Sequence, residues 1–218
     1  SRQPPTVKTE GVPELSEEVF KGLERYREFR HVTFLDWAPG GGILVSRRVG
    51  TVSQLYHCEA KVQPRALTSG PDPVTFGFYL PDGGILFSRC RGGDENYQIY
   101  SLDAPGRIPR RLTDGKSRNL LAPPDPRGTR VAFASSKRNG RDLDLYLLDL
   151  ASGSEPELLV EARDASWSVE DWSADGSRVL LLRSPSSRES QAFLMDLSTK
   201  ERSPLPSETS GKGVAHRG

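Results

Sequence analysis

The sequence has little cysteine, no long hydrophobic run and no excess of charge of either sign. Cys58 and Cys90 are the only cysteines in 218 residues, and they lack both metal-site spacing and the density of a disulfide scaffold. We therefore expect two free thiols, which mildly favours a reducing compartment. No apolar run approaches the roughly 18 residues of a spanning helix, and the N-terminal stretch has no apolar core of a signal peptide.

Charge and motifs exclude several classes of function. The 30 Lys and Arg against 29 Asp and Glu give a net charge of +1, so nucleic acid and membrane are not expected as partners. The chain has no G-x-S-x-G nucleophile elbow, no P-loop, no dinucleotide fingerprint and no H-E-x-x-H zinc motif. We predict no catalytic residues, no metal and no cofactor, and a surface or core role for His31, His57 and His216.

Glycine and proline are abundant, and the turns they predict recur. The 21 Gly and 17 Pro are more than an average chain carries, which favours a β-rich fold. One motif occurs four times, as "DWAPGGGILVS", "FYLPDGGILFS", "PPDPRGTRVAFAS" and "DWSADGSRVLLL". A second follows each copy, as "QLYHCE", "QIYSLD", "DLYLLD" and "AFLMDL", and a third, "RALTSG", "RRLTDG", "ELLVEA" and the weaker "SPLPSE", closes each unit.

The spacing of these motifs identifies the architecture. Their turn glycines are 42, 45 and 48 residues apart, and the aromatics of the second motif are 44, 46 and 47 apart. A period of about 45 residues is typical of a four-stranded propeller blade, which buries its faces only by stacking on neighbours. We therefore predict an all-β fold, a β-propeller with about four blades visible, part of a larger ring. The aromatics Tyr100, Tyr146 and Phe193 are predicted to occupy equivalent buried sites on the third strands.

The repeat also divides the chain. Residues 1–30 form an N-terminal extension with an amphipathic helix, predicted from "PELSEEVFKGLERYREFR", in which Ser16 is the N-cap. The propeller covers 31–206, and 207–218 form an irregular tail or the start of a further blade. The four blades are expected at about 31–70, 71–115, 116–162 and 163–206.

The loop "GGDEN" precedes the third strand of the second blade. Its acids, Asp94 and Glu95, are either the polar tip of a hairpin, which is the more common role of such residues, or a site of function. In the third blade, Asp142 and Asp144 lie on one strand face, where they could bind Ca²⁺ or, as we favour, pair with Arg138 and Arg141. The aromatics Trp37, Trp167 and Trp172 are predicted to be core residues.

Several stretches together resemble the propeller region of prolyl-oligopeptidase-family serine peptidases, including the acylaminoacyl-peptidase and dipeptidyl-peptidase-like branches. They are "GGDENYQIYSLD", "RRLTDGKSRN", "ASSKRNGRDLDLYLLD" and the lead-in "VPELSEEVFKGLERYREFRHVTFLDW", which is similar to the segment before the first blade in bacterial members. The strand-turn signature of the repeats, of the "SPDG" type, is shared with Tol-associated periplasmic propellers. The resemblance covers about residues 13–205.

This resemblance implies a function for the chain. In the family, a propeller of seven or eight blades caps a C-terminal α/β-hydrolase domain, admits short peptides and can hold the substrate N-terminus, here by Asp94 and Glu95. The expected partners are that hydrolase domain of the same parent chain and short peptides, and a bacterial cytoplasm is the expected location, or the periplasm if a signal peptide was removed. The alternative is a stand-alone scaffold propeller of the Tol-associated type that binds proteins.

Overall fold

The computed structural model describes residues 16–19, 22, 31–104 and 106–206. Glu17–Val19 and Gly22 are helical, and Ser16 Oγ accepts a hydrogen bond from the Val19 N–H at 3.4 Å, as expected for an N-cap. The rest of the predicted helix, the tail 207–218 and His216 lie outside the described residues. Among the described residues, no helix is long and apolar enough to cross a membrane.

Sixteen strands follow one another from residue 32 to residue 204. They are β1 (Val32–Trp37), β2 (Ile43–Val49), β3 (Val52–Cys58), β4 (Arg65–Ala66), β5 (Val74–Tyr79), β6 (Ile85–Arg89), β7 (Gln98–Leu102), β8 (Arg110–Arg111), β9 (Asn119–Pro124), β10 (Arg130–Ser135), β11 (Asp144–Asp149), β12 (Glu157–Val160), β13 (Ser166–Trp172), β14 (Arg178–Ser186), β15 (Glu189–Asp196) and β16 (Arg202–Pro204).

These strands form four antiparallel sheets of four, each in the order of the chain, which we call blades one to four. Blade one contains β1–β4, blade two β5–β8, blade three β9–β12 and blade four β13–β16. The first strands of consecutive blades, β1, β5, β9 and β13, are neighbours. This arrangement confirms the predicted all-β fold and is that of a partial β-propeller.

The core consists of three clusters, one between each pair of consecutive blades. Within a strand, successive side chains point to opposite faces, so each inner blade contributes to two clusters. In blade two, Ile85 and Phe87 pack on blade one, while the intervening Leu86 packs on blade three. The blades thus bury one another, which is why a single repeat could not form this core alone.

The repeated aromatics lie where the period places them, on β7, β11 and β15. Tyr100 stacks on Phe87 with ring centroids 5.4 Å apart, and Tyr146 stacks on Phe133 at 5.9 Å. Phe193 lies 5.3 Å from the ring of Trp167. The equivalent placement is confirmed, but only Tyr146 is buried, since Tyr100 and Phe193 are half-buried.

One tryptophan departs from the prediction. Trp167 and Trp172 are buried, but Trp37, which holds the same repeat position as Trp172, is 72% exposed. Trp37 was predicted to be a core residue, and this prediction is wrong. The reason is its position in blade one: no preceding blade is present among the described residues, so no neighbouring blade covers Trp37.

Candidate functional site

A groove shared by blades one to three lies where the first strands of these blades end. This groove has a volume of about 490 Å³. Each first strand runs into a tight turn that carries proline, in the sequences "APGG", "LPDG" and "PDPRG". Aromatic and proline side chains therefore dominate the lining, which includes Trp37, Phe78, Tyr79, Pro81, Pro124 and Pro126.

The turns approach each other closely at this groove. Gly128, in the turn of blade three, has φ of 68°, and a Cβ there would lie 2.4 Å from Cδ of Pro81 in blade two. Only glycine combines this backbone conformation with the close approach of the proline ring. The groove wall is therefore fixed by contacts between blades.

Tyr79 is a groove residue that is held by hydrogen bonds to blade one. Its N–H donates to Asp36 Oδ2 at 2.9 Å, and its hydroxyl lies 2.8 Å from Nδ1 of His57, so it is bonded to blade one through both backbone and side chain. Nε2 of His57 lies 2.7 Å from Glu59 Oε1. Burial raises the pKa of Tyr79 above its ordinary value, against the opposing charge of Arg65.

This hydrogen-bonded chain joins blades and is not an acyl-transfer site. A nucleophilic triad needs a base that contacts a serine, cysteine or threonine and an oxyanion hole beside it. The two ring nitrogens of His57 instead contact a tyrosine and a glutamate. His31 is exposed at the entry of β1. The groove therefore offers apolar binding surface, with Tyr79 as its fixed aromatic.

Asp94 and Glu95 lie at the opposite end of the blades. Because the strands are antiparallel, the loop between the second and third strand points away from the turn between the first and second. Asp94 Oδ1 accepts the Asn96 N–H at 3.0 Å, and Glu95 has φ of 59°. Both side chains are exposed, so the loop is confirmed as a turn between β6 and β7, while its proposed role in substrate binding stays a prediction.

This loop is anchored by a buried polar contact that the sequence analysis did not identify. Gln98, at the start of β7, donates from Nε2 to Asn96 O at 3.0 Å and to Ser117 O at 2.7 Å. Thr113 completes the contact by donating to Gln98 Oε1 at 2.7 Å. Gln54 and Thr68 form the same pair in blade one, also at 2.7 Å. The sequence did carry a signal for this contact: Gln recurs before "LY" or "IY", and Thr recurs in "LTSG" and "LTDG".

The acids of blade three are paired with arginine. The side chain of Asp144 is fully buried and accepts two hydrogen bonds from Arg138, at 2.5 and 3.0 Å, while Asp142 contacts Arg138 and Arg141 at 3.4 Å. The Asp144 hydrogen bond raises the pKa of Arg138, and the amide of Asn139, with both arginines, lowers the pKa of Asp142.

Among the described residues, no three His, Cys, Asp or Glu side chains are grouped to hold a metal. Both cysteines are free thiols, Cys90 buried and Cys58 half-buried.

Fold and groove together define the class as a partial β-propeller. No protein-family model and no curated protein sequence matches the chain, but solved structures match its fold. A putative TolB from Agrobacterium tumefaciens is 18% identical with a TM-score of 0.66, over 84% of this chain and 64% of that one. TolB from Acinetobacter baumannii is 22% identical with a TM-score of 0.59, over 81% of this chain and 43% of that one.

Two peptidase structures match equally well in fold. A puromycin-hydrolysing peptidase of Mycobacterium tuberculosis is 14% identical with a TM-score of 0.65, over 82% of this chain and 30% of that one. A structure from a study of two prolyl endopeptidases is 11% identical with a TM-score of 0.64, over 80% of this chain and 29% of that one. The chain thus spans less than two thirds of each of these structures, and it resembles both the Tol propellers and the propeller regions of these peptidases.

Proposed function

We propose that this chain is the non-catalytic propeller segment of a larger prolyl-oligopeptidase-like serine peptidase, in which it admits short peptides to a hydrolase domain of the same parent chain. The observation that carries the proposal is the partial propeller of four blades, together with the family resemblance of "DENYQIY", "RRLT" and "KSRN". Its fold similarity to a prolyl endopeptidase and to a puromycin-hydrolysing peptidase supports the same proposal.

The two ends of the blades would serve this function differently. The groove offers Tyr79, Phe78 and proline rings, which suit apolar side chains of an extended peptide. At the opposite end, Asp94 and Glu95 are exposed carboxylates that would bind the free amine of a substrate. Hydrolysis itself is assigned to the parent's hydrolase domain, since His57 is bonded to Tyr79 and Glu59.

The test uses a fluorophosphonate serine probe and chromogenic aminoacyl substrates. The 218-residue chain should neither label nor turn over, and the longer parent should label at a serine downstream of the propeller. Labelling of the 218-residue chain, or a full-length parent without a reactive serine, would contradict the proposal.

The role of the loop is tested in that parent by Asp94→Ala combined with Glu95→Ala. The double variant should raise KM for substrates with a free N-terminus more than for N-blocked ones, because only the former present a positive charge. Equal effects on both substrates would make the loop an ordinary hairpin tip.

The second candidate is a scaffold propeller that binds proteins and has no hydrolase partner. The groove favours it, because exposed aromatic and proline side chains at one end of a propeller are typical of an interaction surface, and the TolB structures share the fold. A parent without a reactive serine, combined with loss of protein binding on Phe78→Ala, would support this candidate over the first.

A further inference from the structure

In three of the four blades, an arginine lies over an aromatic ring of the face that carries the third-strand aromatic. In blade two, Cζ of Arg89 lies 5.3 Å from the centroid of the Phe87 ring and 5.6 Å from that of Tyr100. A cation in this position is attracted by the negative face of the ring. The corresponding pairs, at 5.5 and 5.1 Å, are Arg47 with Tyr56 in blade one and Arg202 with Trp167 in blade four.

Blade three lacks this arginine. Its stacked pair, Phe133 and Tyr146, has the same strand register as the stacked pair of blade two. Two residues after Phe133 stands Ser135, at the position that Arg89 holds in blade two. Within the described part of the chain, no cation lies over either ring of the blade-three pair.

A pocket of about 160 Å³ lies beside this pair, between blades two and three. Its lining includes Leu112 of blade two and both Phe133 and Ser135 of blade three, so it covers the space that an arginine at position 135 would cross. At about 30 Å³ for each water of the liquid, the pocket has room for about five waters and therefore for a guanidinium group. Lys137 also lines the pocket, but its ammonium is paired with Glu155.

A buried amide supplies an unused acceptor in this pocket. Asn119 lies opposite Ser135 in the sheet and is 2% exposed. Its Nδ2 donates to Tyr97 O and to Ser117 O, both at 2.9 Å, and these two carbonyl groups fix which side of the amide carries the nitrogen. Oδ1 accepts no hydrogen bond from any described residue, although Asn119 lines the pocket. A bound donor would satisfy this acceptor.

The interface of blades one and two has the arginine and lacks the acceptor. There, Val74 lies opposite Arg89 in the strand register, as Asn119 lies opposite Ser135. Nε of Arg89 is buried and has no hydrogen-bond partner among the described residues. One interface thus contains a guanidinium without an acceptor for its Nε, and the next contains an acceptor beside a pocket.

Carboxylates lie at the mouth of the pocket. Asp114 and Glu155 are exposed and line the pocket together with Lys137, so the lining carries two negative charges against one positive charge. The repeat positions of the two acids are held at the preceding interface by Ser69 and Ile108, which are uncharged. The charge of the pocket therefore favours a cation.

We propose that this pocket binds the guanidinium group of an arginine side chain that a ligand supplies. The group lies over the Phe133 ring, as the chain's own guanidinium does in blade two, and donates a hydrogen bond to Asn119 Oδ1. Asp114 and Glu155 balance its charge. Free arginine and an arginine residue within a peptide share this chemistry, and the test distinguishes them. The proposal depends only on the interface of blades two and three, so it is independent of the peptidase assignment.

Ligands that differ in one group test this recognition in the 218-residue chain. Heteronuclear NMR follows the side-chain amide of Asn119 during titration with free L-arginine, with N-acetyl-L-arginine methylamide and with the two corresponding citrulline compounds. Citrulline has nearly the same shape, but its ureido group is uncharged. An arginine compound should bind with a millimolar dissociation constant, and its citrulline counterpart roughly tenfold more weakly. Binding of the blocked compound identifies an arginine residue within a chain, and binding of free arginine alone identifies the free amino acid.

Variants taken from the repeat itself test the position of the ligand. Ser135→Arg introduces the residue of blade two, which should fill the pocket, abolish binding and leave Tm no lower than that of wild type. Ser187→Arg is the matched control: it adds the same side chain at the exposed turn between β14 and β15, and it should bind as wild type does. Asn119→Val should weaken binding roughly tenfold, since a hydrogen bond to a charged group is lost.

Three outcomes would overturn the proposal. They are no saturable binding of either arginine compound at millimolar concentration, equal affinity for the arginine and citrulline compounds, and unchanged binding by a folded Ser135→Arg variant. Thermal melts show whether each variant is folded. The comparison of ligands uses the wild-type chain, so it decides the question even where a variant does not fold.

Discussion

Trp37 and Trp172 hold the same position of the repeat and have opposite environments. Trp172 is 8% exposed, donates from Nε1 to Pro123 O at 2.9 Å and lies under the guanidinium of Arg130 at 5.4 Å. Trp37 is 72% exposed and contacts Phe34 at its edge. The same residue is thus a core residue between blades three and four and a surface residue at the open end. Burial in this fold is decided by the neighbouring blade.

Truncation of the two tryptophans should show the largest difference between these regions. Trp172→Ala removes a large buried side chain and should lower the free energy of unfolding by about 3–5 kcal/mol. Trp37→Ala should cost less than about 1 kcal/mol, because it removes little buried surface. Both losses are measured by urea unfolding. Similar losses for the two variants would show that the face of blade one is covered.

This comparison also shows what the sequence can predict. The third-strand aromatics Tyr100 and Tyr146 could be placed correctly, because apolar positions that recur with one period must face a neighbouring repeat. The exposure of Trp37 could not be predicted in this way. The period identifies which face of a blade needs a neighbour, but it does not show whether that neighbour is present.

The polar contacts of blade two were predicted less well than the apolar core. Gln98 and Thr113 were overlooked because polar side chains at strand ends are usually solvated, and their burial depends on carbonyl groups of distant loops. The loop with Asp94 and Glu95 was placed correctly between two strands, since glycine and acids before an alternating strand predict a turn. Its chemistry depends on a bound partner, which no local pattern specifies.

The turn glycines give a second, smaller contrast between an inner and an end blade. An alanine Cβ at Gly128 would lie 2.4 Å from Pro81, whereas none of the surrounding atoms lies within 4 Å at Gly41. Both residues have positive φ, at 68° and 101°, so alanine should cost about 1 kcal/mol at either site. The clash should add about 1–3 kcal/mol at Gly128 alone. Denaturant unfolding measures both, and Pro81→Ala should relieve part of the loss in Gly128→Ala but none in Gly41→Ala.

The smallest expected effect concerns the same turn in blades three and four, where Arg127 and Asp175 hold equivalent positions. Arg127 donates to the Asp175 carbonyl at 2.9 Å. Hydrogen bonds from the hydroxyl of Ser173 and from the N–H and hydroxyl of Ser177 hold the pKa of Asp175 well below its usual range.

Because the folded-state pKa of Asp175 lies below the unfolded one, its stabilising effect is complete above the unfolded pKa of about 4 and decreases as the pH falls toward the folded one. Asp175→Asn should therefore lower Tm slightly at pH 7 and less at pH 3, as measured by thermal melts at constant ionic strength. Arg127→Gln, which changes the equivalent position of blade three and removes no carboxylate, should lower Tm by the same amount at both values of pH. A Tm difference between wild type and Asp175→Asn that does not change between pH 3 and pH 7 would show that the serine hydrogen bonds do not favour the ionised carboxylate.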